Sequence, residues 1–293
     1  MNDQPGKVYF IGAGPGDPEL LTLKAKRIIE EADTLIYADS LVPPSVVEFA
    51  RPDAEVHGSK TLTLPEIMDL TLQAVRQGKT VARLQSGDPS IYGATLEQMR
   101  ILEAENVDYE IVPGVSSAFA AAAVLKAELT VPEISQTVIM TRLEGRVPMP
   151  NGEKLQALAA HGCSLVIFLS ITRMTRMVRE LRAARYPKDT PVAVVYRVGW
   201  PEEKVIRGTL ADIAAKVREA KITLQALVLV GRAVDPSLRR PDANGANGVA
   251  TSHLYSEGYT HLYRTARPRS RTGKSRSRSN SPVSSQPQEA RGE

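Results

Sequence analysis

A chain of 293 residues can hold two α/β domains, and with 42% hydrophobic content and no apolar run near the ~20 residues of a membrane helix it is expected to work in the cytoplasm without a membrane partner. Cys163 is the sole cysteine, which excludes an internal disulfide or a cysteine cluster, and His57, His161, His253 and His261 are scattered, so no metal site is expected. Residues 267–293 carry six Arg and one Lys against two Glu, a local +5 within a formal +4, so residues 1–266 are near neutral and do not read as a nucleic-acid binder.

Along the chain, the short polar stretch 1–7 shows no signal-peptide pattern and leads straight into an apolar strand at 8–11. Gly12, Gly14 and Gly16 follow, interleaved with Pro15 and Pro18, and then a helical run at 20–32. Strand, glycine turn and helix start make a ligand loop, because glycine admits close backbone approach and a helix N-terminus offers free N–H groups. The spacing is Gly-x-Gly-x-Gly rather than the dinucleotide fingerprint, and two prolines remove donors from the loop. A pyrophosphate cradle is therefore not expected.

Runs at 34–37, 65–77, 80–85, 94–105 and 109–112 continue a βα alternation, which predicts a mainly parallel sheet over residues 1–114. Two further strand ends carry Gly/Pro turns: Gln85-Ser86-Gly87-Asp88-Pro89, then Pro113-Gly114-Val115-Ser116-Ser117 before a helix at 115–126. Ligands of open α/β sheets sit at the carboxyl ends of strands, so three such turns in one half of the chain suggest one composite pocket. Asp88 also reads simply as a turn residue that bonds its own backbone.

A second domain is expected over 115–234, with strands at 136–141, 165–169, 192–196, 204–208 and 224–230 and helices at 153–161, 174–185 and 210–221. Gly199-Trp200-Pro201 reads as a hairpin, which makes that sheet mixed. Residues 235–266 are expected to dock on the body through Tyr255, Tyr259 and Tyr263. The Arg/Ser-rich 267–293 has too few apolar residues to fold and reads as a disordered, solvated extension, and nucleic-acid binding by it is not expected.

GAGPGDPELLTLKA, LQSGDPSIYGA and PGVSS, in that order, resemble the class III S-adenosylmethionine-dependent tetrapyrrole methyltransferases. The resemblance covers about residues 7–266 and implies two α/β domains, a homodimer, and S-adenosylmethionine as methyl donor with no metal. Finer segments resemble the branch that methylates precorrin-4 at C11: residues 37–42, Thr141-Arg142-Leu143-Glu144-Gly145-Arg146, and Ile167-Phe168-Leu169-Ser170. Uroporphyrinogen III, another precorrin, RNA and protein are the competing substrates on this fold.

Residue by residue, the resemblance puts Pro15, Ser86, Gly87, Asp88, Ile91, Ser116, Ser117, Leu169 and Val198 at cofactor-contacting positions. Relatives often carry glycine at the position of Val198. Lys60 and Asp39 align with a proton donor and a proton acceptor proposed for uroporphyrinogen methyltransferases. A macrocycle rich in carboxylates calls for arginine at the cleft, and Arg142 and Arg146, flanking Glu144 just after a strand, are the candidates. A solvated charged loop is the competing reading of that pair.

Overall fold

The computed structural model describes residues 6–240 and 258–266. The first stretch lies in one compact unit, Met1–Ala250, and the second in another, Thr251–Glu293. The first unit begins with β1 (Val8–Gly12), α1 (Leu23–Glu31), β2 (Thr34–Tyr37), α2 (Pro44–Val47), β3 (Glu55–Gly58), α3 (Leu64–Arg76), β4 (Val81–Gln85), α4 (Thr95–Ala104) and β5 (Tyr109–Val112). It continues with α5 (Ser117–Leu125), β6 (Val138–Arg142), α6 (Leu155–Ala159), β7 (Ser164–Phe168), α7 (Met174–Ala183), β8 (Pro191–Tyr196), β9 (Lys204–Thr209), α8 (Ile213–Glu219) and β10 (Ala226–Val230).

The first sheet runs β3-β2-β4-β1-β5 and is parallel throughout. Its central strands are buried on both faces, which is why they read as continuous apolar runs. Val8 and Phe10 of β1 meet Ile67, Met68 and Leu102 on the α3–α4 side. Ile11, with Leu35 and Leu84, meets Ile28, Ile29 and Val46 on the α1–α2 side. The second sheet runs β6-β7-β10-β8-β9, with β6 parallel to β7 and the remaining pairs antiparallel, so it is mixed as the hairpin implied.

Although α5 follows the last strand of the first sheet, its alanine-rich body packs on the second, where Ala118, Ala121 and Leu125 meet Val166, Val195 and Leu229. Its C-terminal carbonyls are closed by arginines from distant segments: Arg207 and Arg239 both donate to Leu125 O at 3.1 Å. Cations suit that end of a helix. The opposite face of the second sheet is covered by α6, α7 and α8 through Leu155, Met177, Leu181 and Val217.

Several details depart from expectation. The helix after the glycine turn begins at Leu23, later than 20, because Thr22 Oγ1 accepts from Ala25 N at 3.1 Å and caps it there. A one-turn 3-10 helix, Pro18–Leu20, fills the gap, so the N-terminus of α1 is not aimed from the turn itself. The one-turn helix α2 and the short strand β3 are additional, and α6 and α8 are shorter than the expected 153–161 and 210–221.

In the second unit, His261 and Arg264 exchange backbone hydrogen bonds at 2.8 and 3.0 Å around a small turn. Tyr255, on which part of the docking expectation rested, and the whole Arg/Ser-rich segment 267–293 lie outside the described residues.

Candidate active site

The order of the first sheet creates a switch point between β1 and β4, whose outgoing connections diverge, and a crevice opens at their carboxyl ends. The loops leaving β1, β4 and β5 pack backbone to backbone there. Gly14 N donates to Gly87 O at 3.3 Å and Gly87 N to Gly14 O at 2.7 Å. A Cβ on Gly114 would lie 2.7 Å from Gly12 Cα, so neither position tolerates a side chain. Gly87 holds φ +68°, the left-handed region that glycine enters without steric cost.

Asp88 ties two of these loops together. One carboxylate oxygen accepts from Ser90 N at 2.8 Å, the Asx turn read from sequence, and the other accepts from Gly114 N at 2.9 Å. Burial would push its pKa up, but the two amide donors outweigh it and hold the carboxyl below its ordinary value. Ser116 caps α5, its side chain accepting from Ala118 N at 3.3 Å.

These loops form one wall of a cavity of about 370 Å³. The second sheet supplies the other wall, with Phe168, Leu169, Val195, Val198 and Leu227. All nine residues placed by resemblance at cofactor positions line this one space. Leu169 and Leu224 are 66% and 52% exposed, so large apolar side chains stand uncovered at its edge. The Tyr92 ring lies 5.4 Å from that of Phe168. Burial pushes the Tyr92 phenol up, with the nearby Arg142 charge opposing it.

Backbone strain concentrates here. Tyr92, Leu169, Arg197 and Gln225 are non-glycine residues with φ of +55°, +53°, +46° and +50°, and all four line the cavity. Such conformations persist where the surroundings over-determine them, and they cluster at ligand sites.

Asp39 and Lys60 meet but do not line the cavity. Lys60 Nζ lies 3.1 Å from Asp39 Oδ2, and the Lys60 amide donates to Oδ1 at 2.8 Å. Desolvation pushes the Asp39 pKa up, but the Lys60 amide and ammonium outweigh it, so Asp39 sits below its ordinary value. Leu41, two residues on, does line the cavity. Arg142 donates to the Val147 and Pro148 carbonyls, both at 3.1 Å, which commits its guanidinium to its own loop. Arg146 is exposed and makes no hydrogen bond or ion pair among the described residues. Also among the described residues, no group of three His, Cys, Asp or Glu side chains is placed to hold a metal ion.

The model of the tetrapyrrole (corrin/porphyrin) methylases matches residues 7–214. The chain belongs to this family. The cobalt-precorrin-4 C(11)-methyltransferase of Methanocaldococcus jannaschii is 50% identical over 262 residues, 89% of this chain and 97% of the relative. The X-ray structure of a cobalamin biosynthetic enzyme, cobalt precorrin-4 methyltransferase, superposes with a TM-score of 0.77 at 48% identity, covering 78% of this chain and 96% of that one. The uroporphyrin-III C-methyltransferase of Thermus thermophilus, solved with S-adenosyl homocysteine, gives 0.65 at 31% identity, covering 78% and 99%.

Sequence reasoning missed several lining residues of this methylase: Tyr92, Arg197, Trp200 and Gln225. The one available signal was Trp200, the chain's sole tryptophan, set between glycine and proline in a hairpin. A large aromatic there is costly to expose and implies a partner.

Proposed function

We propose that this chain transfers the methyl group of S-adenosyl-L-methionine to C11 of precorrin-4 or its cobalt form, giving precorrin-5 and S-adenosyl-L-homocysteine. The observation that carries the reading is the convergence of Pro15, Ser86, Gly87, Asp88, Ile91, Ser116, Ser117, Leu169 and Val198 on one cavity between the two sheets. Its volume lies in the range of small-molecule sites. Glycine-built loops on one side and uncovered apolar side chains on the other suit a nucleoside bearing a polar tail.

The donor, when bound, supplies an electrophilic methyl on a sulfonium. The chain's own part is alignment, because an in-line displacement gains most from fixed geometry. The Ser86–Asp88 and Ser116–Ser117 loops orient the donor, and Asp88 keeps the two loops in register. Leu169 and Val198 exclude water from its apolar side. Asp39, ionised and held by Lys60, stands just after β2 as the group that accepts the proton lost from the methylated ring, with Lys60 as its donor partner. Arg146 offers a fork to a peripheral carboxylate, and Arg142 holds the loop that presents it.

No metal takes part in this scheme, and the working unit is a homodimer in the cytoplasm. Calorimetry with S-adenosylhomocysteine in EDTA tests the first point, and sedimentation equilibrium tests the second. The activity itself is tested by mass spectrometry of the product formed from isotope-labelled S-adenosylmethionine with precorrin-4, cobalt-precorrin-4 and uroporphyrinogen III in turn. One added methyl at C11 of a precorrin-4 macrocycle is the expected result. Methylation of uroporphyrinogen III alone would keep the family and remove the named activity.

A further inference from the structure

Two hydrogen bonds join loops of the first sheet to loops of the second beside the cavity. Trp200 Nε1 donates to Pro15 O at 3.2 Å, and Gln225 Nε2 donates to Ser40 O. The first contact is close-packed: a Cβ on Gly16 would run into the Trp200 indole, and one on Gly199 would lie 2.8 Å from Asp17 N. Pro15, Trp200 and Gln225 all line the cavity.

Arg197 touches the second-sheet member of both contacts. Its guanidinium carbon lies 5.0 Å from the centre of the Trp200 ring, and its Nε donates to Gln225 Oε1 at 2.5 Å. The backbone repeats the connection. Arg197 N donates to Gln225 O, and Trp200 N donates to Arg197 O, both at 2.9 Å. Both Arg197 and Gln225 are left-handed without being glycine. The guanidinium carbon also lies 5.5 Å from the centre of the Tyr196 ring, and its ion-pair partner Glu202 is 55% exposed at its side chain, so that ion pair is a weak reason for the arrangement. A planar fork that stacks on an indole while donating along its edge is chemistry that arginine has and lysine lacks.

We propose that Arg197 is a positioning residue that locks the Trp200–Pro15 and Gln225–Ser40 contacts into a single clasp, and that donor affinity requires both halves of it. Neither contact can then loosen alone, and the cavity keeps its width only while both are made. The inference rests on the reading of this cavity as the donor site.

Trp200 is the only tryptophan in the chain, so its emission reports on the clasp directly. The full-length protein and its Arg197→Ala, Arg197→Lys and Gln225→Ala variants are compared by tryptophan emission without ligand, by calorimetry with S-adenosylhomocysteine, and by kinetics. Arg197→Ala should shift emission to longer wavelength and weaken binding about tenfold, the scale of one lost stacking or hydrogen-bond interaction. The donor KM should rise by a similar factor while kcat at saturating donor changes little. Gln225→Ala, which removes the far contact, should move Trp200 emission in the same direction. Arg197→Lys should recover only part of either property.

Parental emission in Gln225→Ala would mean that the two contacts are independent, and the proposal would fall. Parental binding by Arg197→Ala would overturn it equally. If Arg197→Ala fails to fold, Gln225→Ala and Arg197→Lys still decide the matter. If the parent binds no S-adenosylhomocysteine, the donor-site reading fails, while the ligand-free emission comparison still tests the coupling.

Discussion

Arg142 and Arg146 stand four residues apart on one loop and have opposite environments. Arg142 spends its two terminal nitrogens on the Val147 and Pro148 carbonyls, whereas Arg146 reaches solvent. Arg142→Ala should therefore cost about 1–3 kcal/mol of stability, a fall of a few degrees in melting temperature by calorimetric scan. Arg146→Ala should leave the melting temperature unchanged and raise the macrocycle KM roughly tenfold to hundredfold, the value of a charge-assisted pair. A melting temperature that falls in Arg146→Ala instead would exchange the two roles. Asp39 gives a pH signature. Its folded-state pKa is depressed, so it stabilises the fold above its unfolded value and loses that contribution as pH falls through the folded one. The stability gap between the parent and Asp39→Asn in urea titrations should be full at about pH 6 and narrow towards about pH 3. A gap that widens on acidification would contradict the ion pair.

The loop after β4 shows what an element can and cannot absorb. At Gly87 a Cβ would lie 3.5 Å from Ser116 Cα, an ordinary contact, so space is not the obstacle. The obstacle is φ +68°, which costs an L-residue about 1–2 kcal/mol and more if β-branched. Gly87→Val should thus fold, shift the loop and lose S-adenosylhomocysteine binding in calorimetry, with Gly87→Ala intermediate. Parental affinity in Gly87→Val would remove this loop from the site. Legibility from sequence follows the same physics. The doubly buried strands and the three glycine turns were visible because burial and φ constrain residue type. β3 escaped notice because Glu55, Val56 and Gly58 are exposed at a sheet edge and show no alternation. Leu169 and Val198 were reached only by resemblance, since nothing local marks them. Arg197 and Gln225 were invisible because their roles arise from a contact between residues 28 positions apart.

At the scale of the molecule, the cavity is walled by both sheets, so a bound ligand must couple them. Saturation at about a hundred times Kd adds roughly 2.7 kcal/mol to the folded state, or about 5–10 °C for a chain of this size. Differential scanning calorimetry with S-adenosylhomocysteine should show a single transition moved upward by that amount. Two transitions, only one of them shifted, would mean that the ligand is held by the loops of one sheet alone.

The place of β10 has a further consequence for biosynthesis. It is the last strand made among the described residues, yet it lies between β7 and β8 in the middle of its sheet. Until residues 226–230 leave the ribosome, β7 and β8 each present a long apolar edge with no neighbour, and Leu227, which belongs to the cavity wall, is missing. A chain that stops before β10 is therefore both aggregation-prone and unable to complete the cavity. The sheet and the cavity wall are completed together when β10 is made, and fragments that stall before it offer two open strand edges to chaperones or proteases.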